Sequence, residues 1–556
     1  TAVRSVPDSM SPGPLGGVEW PQSTILEIQH TRAILFAPAA VLLGALAPAT
    51  VSGQGMPSRG EVIRAIELQR QPVFDSVEAR FWVFRLLNVV HAETRPWVIR
   101  RELLFAPGEP WDTALVRESE RNLRALGIFR DVTIRPVATD SGIIAQVRTI
   151  DAWTTSGTVG LNTTGSQYAV DLSLQELNLF GTRTAAVIAY RNDPDRSQWG
   201  GGFDTPRLLW DRVGLGASIV ERSDGRAAAA TIRQPFFSLS SRRGGSLTGQ
   251  YLDNRVLRYA GGSGIPVDSA RRRFELLRAD GAVALSASPR GYVRVGLTAQ
   301  LRREDFGPEG SAAAIPRTIT AAAGPTIALR RPRFIRMRNV ESTDRVEDVD
   351  LGLSVQAGLL LAPAAWGYDR TGVGMSLGVG MGQRLPRGFV RMAAGGHALV
   401  NADGTDSSAV EAGATLVLQP APQHLFVAHA SGGLLHDPAF GREYDLGLGA
   451  GLRAFSAHAF TGDRHYMLNA EYRWLAWPGV LDLATVGVAA FADHVGAWFT
   501  GSPRRSGSNV GVGLRVSSIR ETGGIWRFDL SRRFGGDRPQ AWVFSIGRGF
   551  VFGSVH

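Results

Sequence analysis

The groups in this sequence with most to offer chemically are carboxylates and guanidiniums, spaced for electrostatic pairing and not for catalysis. In the segment HYMLNAEYRW, Tyr466, Leu468, Ala470, Tyr472 and Trp474 share one parity, which leaves Asn469 and Glu471 on the other. In TVGVAAFADHVG, Val486, Val488, Ala490 and Ala492 alternate with Phe491 and Asp493. Successive side chains of a strand point to opposite faces, so each segment offers an apolar face and turns its carboxylate the other way. A further acidic group, Asp344, Glu347, Asp348 and Asp350, is interrupted by Arg345 and precedes a strand. It reads as a solvated loop, with a calcium site as the alternative.

Covalent and metal chemistry find little support. HExxH and Walker patterns are missing from the sequence, no GxSxG nucleophile elbow at a strand-to-helix turn is read, and its 10 His are dispersed. There is no cysteine, which excludes disulfides, thiol catalysis and Cys-based zinc sites. The expectation is a protein that is not an enzyme and uses no cofactor and no metal. The formal charge is +10, and all 60 basic residues are arginine. Such a balance invites a nucleic-acid reading. The arginines, however, are scattered singly through alternating segments and gather in no patch. Codon bias explains them blandly; a barrel lumen or rim facing anionic lipid explains them functionally. Nucleic acid is not an expected partner.

The elements that must position the carboxylates are long strands. From Trp153 onward helical periodicity gives way to period two. Val293, Val295, Leu297, Ala299 and Leu301 alternate with Arg294, Gly296, Thr298 and Gln300. Leu351, Leu353, Val355, Ala357 and Leu359 repeat the pattern, as do Val510, Val512, Leu514 and Val516 opposite Gly511, Gly513, Arg515 and Ser517. Trp526, Phe528 and Leu530 alternate with Arg527, Asp529 and Ser531. Strands of about ten residues suit a tilted membrane crossing, and lipid requires the sheet to close on itself. At roughly 25 residues per strand, residues 153–556 predict about sixteen strands. The end of the chain, SIGRGFVF, fits the C-terminal signal of outer-membrane barrels, with Ser545, Gly547, Phe550 and Phe552 in its defining positions. Trp542, Phe544, Ile546, Phe550 and Phe552 would face lipid, and Arg548 is the misfit among them.

Ahead of the strands, Arg32 followed by AILFAPAAVLLGALAPA reads as an export signal, so residues 1–53 form a signal peptide with an over-long N-terminal extension. Residues 54–78 read as a linker. Residues 79–152 read as a small α/β domain of order β-α-α-β-β. Its parts are a strand at Arg80–Leu86, a helix opened by Pro96, a second helix capped by Asp112 and ended by Gly127, and two strands around the turn Asp140-Ser141-Gly142. Leu115, Ser119, Leu123 and Leu126 mark one face of the second helix.

The stretch TRPWVIRRELLFAPGEPWDTALVRESERNLRALGIFRDVTI resembles a POTRA domain, the module that precedes the barrel in the BamA/TamA superfamily of outer-membrane assembly and secretion proteins. Leu452-Arg453-Ala454-Phe455 is similar to that superfamily's hydrophobic-Arg-Gly-aromatic loop tip, with Ala454 in place of the glycine. The segment QELNLFGT at Gln175–Thr182 is similar to its first hairpin. The resemblance implies a loop folded into the barrel with Arg453 and Phe455 at its tip, and lumen carboxylates Glu471 and Asp493 as partners of Arg453. It joins strands eleven and twelve, leaving the five alternating segments counted after Arg453. Losing one member would cost roughly 3–5 kcal/mol if the site is dry. The implied function is assembly or insertion of outer-membrane proteins, through client binding at the POTRA domain and a laterally opening barrel. Unfolded outer-membrane or secreted proteins would be clients, membrane lipids a second contact, and a periplasmic partner would bind at the POTRA domain. A two-partner secretion channel and a plain porin are the alternatives.

Overall fold

The computed structural model describes residues 61–74 and 91–548, except 141, 165–166, 210–211, 260–263, 310–314, 341–345, 368–370, 403, 439, 449–450, 481–483, 519–524 and 536–541. The expected signal peptide, the strand expected at Arg80–Leu86, and Phe550 and Phe552 lie outside the described residues.

The N-terminal unit comprises strand β1 (Ile63–Gln71), helix α1 (Pro96–Glu102), helix α2 (Thr113–Ala125), strand β2 (Phe129–Thr139) and strand β3 (Gly142–Asp151). The sheet order is β1-β3-β2, with β1 parallel and β2 antiparallel to β3. The segment expected to be a linker therefore supplies a strand. Its sequence IRAIELQRQ alternates weakly, because only part of one face is buried, and the pairing partner lies some eighty residues downstream. The helix signals act as expected. Pro96 opens α1, where its missing N–H costs nothing. The Asp112 carboxylate accepts from the Ala114 N–H at 2.7 Å, and Gly127 takes a φ of +70° just past α2. One side of α2 sends Val116 and Leu123 into a core with Val98, Ile99, Phe129 and Ile143. Leu115 is only half-buried, while Glu118 and Glu120 are buried, because α2 has a second covered side that faces the barrel.

Residues 155–548 form a closed antiparallel barrel of 20 strands, not the sixteen expected. The difference lies in the connections. Hairpins such as Arg222↔Gly225, Ser288↔Gly291 and Leu385↔Gly388 turn in two residues, so a strand consumes about twenty residues of chain. The alternation predicted each wall. Leu297 is 69% exposed and Val512 59%, on the outer face, whereas Asn509 and Asp529 are buried inside. Leu351 departs from its expected outward row: it precedes the strand Leu353–Ala362 and is buried. Among the described residues no helix is long and apolar enough to cross a membrane; the crossing elements are strands.

The chain enters the barrel at one end, here called proximal, and odd-numbered strands run to the distal end. Two connections do more than turn. At the distal end, the loop between strands His424–His436 and Arg464–Val480 carries a small sheet of Tyr444–Leu448, Gly451–Leu452 and Phe460–Gly462. At the proximal end, between Ile315–Arg331 and Leu353–Ala362, a separate hairpin pairs Phe334–Arg338 with Val346–Asp350. The barrel closes where the first strand, Thr155–Thr164, meets the last, Trp542–Arg548. Among the described residues that seam has two register pairs, Asn162↔Ser545 and Leu161↔Ile546.

Candidate functional site

The distal loop does not stay outside. Leu446, Leu452, Ala454, Phe455 and Phe460 pack against Val495, Ala497 and Val543 on the barrel wall. The wall makes room for them: a side chain at Gly507 would collide with the rings of Phe455 and Phe460. Ala454 is fully buried and is not among the residues with positive φ, so the tip forms without the glycine the resemblance calls for.

This packing delivers Arg453 into the lumen, where its side chain is 1% exposed. Its Nη2 donates to Glu471 Oε2 at 2.8 Å. Its Nε stands 3.4 Å from Asp493 Oδ2 and its Nη1 3.5 Å from Asp529 Oδ2. The guanidinium lies 3.6 Å above the Phe491 ring, and the Arg453 N–H donates to Asn509 Oδ1. The two predicted carboxylates and the predicted arginine thus fall in one place, while the predicted Phe455 packs on the wall at Gly507. The five strands expected after Arg453 are present, but the loop joins the fifteenth and sixteenth strands of this larger barrel.

The site is larger than the sequence reading made it. Arg473 Nε donates to Glu471 Oε1 at 2.6 Å, and Arg515 spans Glu471 and Asp529, with Nη2 and Nη1 at 2.9 and 2.7 Å. Arg527 Nη1 donates to Asp529 Oδ2 at 3.1 Å. Asn469 and Asn509 each donate to Asp493, at 2.8 and 2.7 Å. Four guanidiniums therefore share three carboxylates, all with largely buried side chains. Parity had already turned Asn469, Arg515, Arg527 and Asp529 inward. Aligning the strands side by side would have grouped them, since Asp493 pairs with Asn509 and Arg515 with Arg527. Such a site anchors; it presents no nucleophile beside a base, and among the described residues no cluster suits a metal.

A second anchor holds the same loop near the distal mouth. The His458 ring stacks on Tyr259 at 3.5 Å; its Nδ1 is 2.6 Å from Asp445 Oδ2 and its Nε2 2.9 Å from Asp195 Oδ1. Burial opposes a charge on His458, but the hydrogen bonds to Asp195 and Asp445 outweigh it and hold the ring up at about 9. Beside it, burial pushes Glu443 up to about 7, although its carboxylate accepts from the Tyr259 N–H at 2.7 Å. Sequence reading missed this cluster, whose members come from the turn at Asp195, the end of the strand Arg243–Tyr259 and the distal loop.

The other expected sites separate. Ser545 is buried at the seam, and Gly547 follows it in the last strand. Asp344 lies outside the described residues. Asp348 and Asp350 are not a cation site in waiting: Asp348 pairs with Arg124 and Arg336, and Asp350 with Arg330. The Gln175–Thr182 segment makes the joint to the N-terminal unit. There Asn178 Nδ2 donates to Thr94 Oγ1 at 2.9 Å and the Arg95 N–H donates to the Gly181 carbonyl.

A closed ladder, an apolar exterior and a charged interior that holds its own loop define a membrane-spanning β-barrel with a covalently attached α/β unit. Solved structures similar to the chain include BamA from Haemophilus ducreyi lacking POTRA domains 1–3, at 12% identity over 88% of this chain and 85% of that one, with a TM-score of 0.38. CdiB from Escherichia coli is similar at 12% identity over 91% and 93%, with a TM-score of 0.42. CdiB from Acinetobacter baumannii is similar at 11% identity over 88% and 74%, also with a TM-score of 0.42. No protein-family model matches the sequence, and no curated protein matches it.

Proposed function

We propose that this chain is an outer-membrane assembly factor of the BamA/TamA type, which inserts unfolded barrel proteins without a cofactor. The observation that carries this reading is the firmly anchored lumen loop, whose Arg453 is held 2.8 Å from Glu471. The first strand meets the last at Asn162↔Ser545 and Leu161↔Ile546, and in this account that line is where the wall opens. The backbone groups freed by opening there would offer a template to an incoming strand. The Arg453 cluster keeps the rest of the wall rigid meanwhile. The N-terminal unit, with the β-α-α-β-β order of a POTRA domain and β1 and β2 at its sheet edges, would receive clients in the periplasm before they reach the seam. Unfolded outer-membrane or secreted proteins are the clients in this account, with membrane lipid and a periplasmic accessory protein as further partners. A plain porin fits poorly, because the loop occupies the interior that a porin keeps open.

The test is the folding rate of a urea-denatured outer-membrane barrel added to liposomes that contain this protein. Acceleration above liposomes carrying an unrelated porin, weakened by Arg453→Ala, supports the proposal. A rate equal to the porin's removes unaided insertion and favours secretion or passive conduction.

A further inference from the structure

Arginines that are scattered in the sequence come together at one point of the proximal rim. Arg212 stands between the strands Ser197–Leu209 and Val213–Arg222, and Arg242 and Arg243 stand where the strand Arg243–Tyr259 begins. With Ser240 they line an open cavity of about 660 Å³, within the roughly 300–1,000 Å³ usual for small-ligand sites. Among the described residues no carboxylate lines it. Arg242 and Arg243 are exposed, and among the described residues neither has an ion-pair partner.

The loop that forms the cavity is held in shape before any ligand arrives. The Phe237 ring lies 3.3 Å from the Arg212 guanidinium. The Ser238 N–H donates to Ser241 Oγ at 3.0 Å, and the Ser238 carbonyl accepts from Arg294 Nη2 at 3.1 Å. From the side of the N-terminal unit, Asn122 Nδ2 donates to the Phe237 carbonyl at 3.2 Å and Glu118 Oε1 accepts from the Leu239 N–H at 2.6 Å. Ser240 Oγ is shielded from water and has no hydrogen-bond partner.

The same place borders the lipid face. Arg243 is the register partner of Val283, and Leu247 of Ile232. Register partners share a face of the sheet, and Val283, Leu247 and Ile232 are exposed on the outer wall. Arg243 therefore stands at the edge of the apolar belt, on its outer side.

We infer that this cavity binds the phosphate of an anionic phospholipid in the proximal leaflet. The inference rests on the membrane-spanning barrel and not on client insertion. Guanidiniums grip phosphate oxygens with paired N–H donors, and the lipid phosphate brings the negative charge that the lining residues lack. Position selects the lipid over a soluble phosphate: the acyl chains of a lipid seated here lie along Leu247, Ile232 and Val283.

Native mass spectrometry of the full chain in detergent tests this, with phosphatidylglycerol, phosphatidylcholine or inorganic phosphate added. The wild type should retain a single phosphatidylglycerol at several-fold higher occupancy than phosphatidylcholine. Arg242→Gln with Arg243→Gln should lower that occupancy several-fold. Arg384→Gln with Arg387→Gln removes equal charge from another exposed hairpin of the same rim and should leave it unchanged. Ser240→Leu fills the cavity at constant charge and should also lower it, which decides the matter should the arginine variant fail to fold. Equal loss in both arginine pairs overturns the site in favour of diffuse rim charge, as does full retention by the two cavity variants. Retention of inorganic phosphate without phosphatidylglycerol overturns the lipid assignment, and equal occupancy by phosphatidylcholine overturns the selection for an anionic lipid.

Discussion

Arg453 and Glu471 meet at 2.8 Å inside the barrel, one arriving on a loop from the distal end and the other fixed in the wall. The contact is one edge of a network in which charges do not balance: Arg453, Arg473, Arg515 and Arg527 face Glu471, Asp493 and Asp529. That imbalance makes the two partners unequal under mutation.

Arg453→Ala leaves three guanidiniums against three carboxylates, whereas Glu471→Gln leaves four against two. Stranding buried charge costs about 3–5 kcal/mol, so Glu471→Gln should approach that loss and Arg453→Ala should fall short of it. Denaturant unfolding midpoints of the two variants in lipid vesicles measure the difference. A milder effect of Glu471→Gln would contradict the assigned network.

The distal anchor should loosen with rising pH. His458 sits at about 9 in the fold against about 6.5 unfolded, so its contribution is complete below about 6.5 and lost as pH climbs through 9. Glu443, raised to about 7 from about 4.3 unfolded, adds a loss of the same sign at lower pH. Cleavage of the distal loop by added protease should therefore quicken from about pH 4.3 to about pH 9, the window the two shifts span. His458→Gln should flatten the upper half of that rise. A cleavage rate independent of pH in the wild type would refute the anchor.

Gly507→Leu should expel the loop tip. Its side chain would enter space held by Phe455 and Phe460, and overpacking of this kind costs about 1–3 kcal/mol. The expected result is a less stable barrel with a more conductive lumen. Unchanged conductance and stability would mean that the tip does not rest there.

Much of the wall was legible because the period of two is clear in the strands near the chain's end, so Glu471, Asp493, Arg515 and Asp529 could be turned inward from sequence. Their grouping was not legible, since it depends on cross-strand register. The strand count failed on connections, where a two-residue hairpin and a long loop look alike until pairing is known. The proximal hairpin was read as a charged loop for a physical reason: its charges are spent on α2, 224 positions from Asp348 in the case of Arg124. The strand Ile63–Gln71 stayed hidden because half of it faces water.

Insertion through the seam is the central claim, and locking the seam tests it most directly. Asn162 and Ser545 are register partners there, so Asn162→Cys with Ser545→Cys places two thiols across it in a chain otherwise free of cysteine. The measurement is the folding rate of a denatured barrel client in liposomes holding this variant, oxidised and then reduced. The account predicts acceleration lost on oxidation and restored on reduction. Equal acceleration in both states would show that clients do not use the seam.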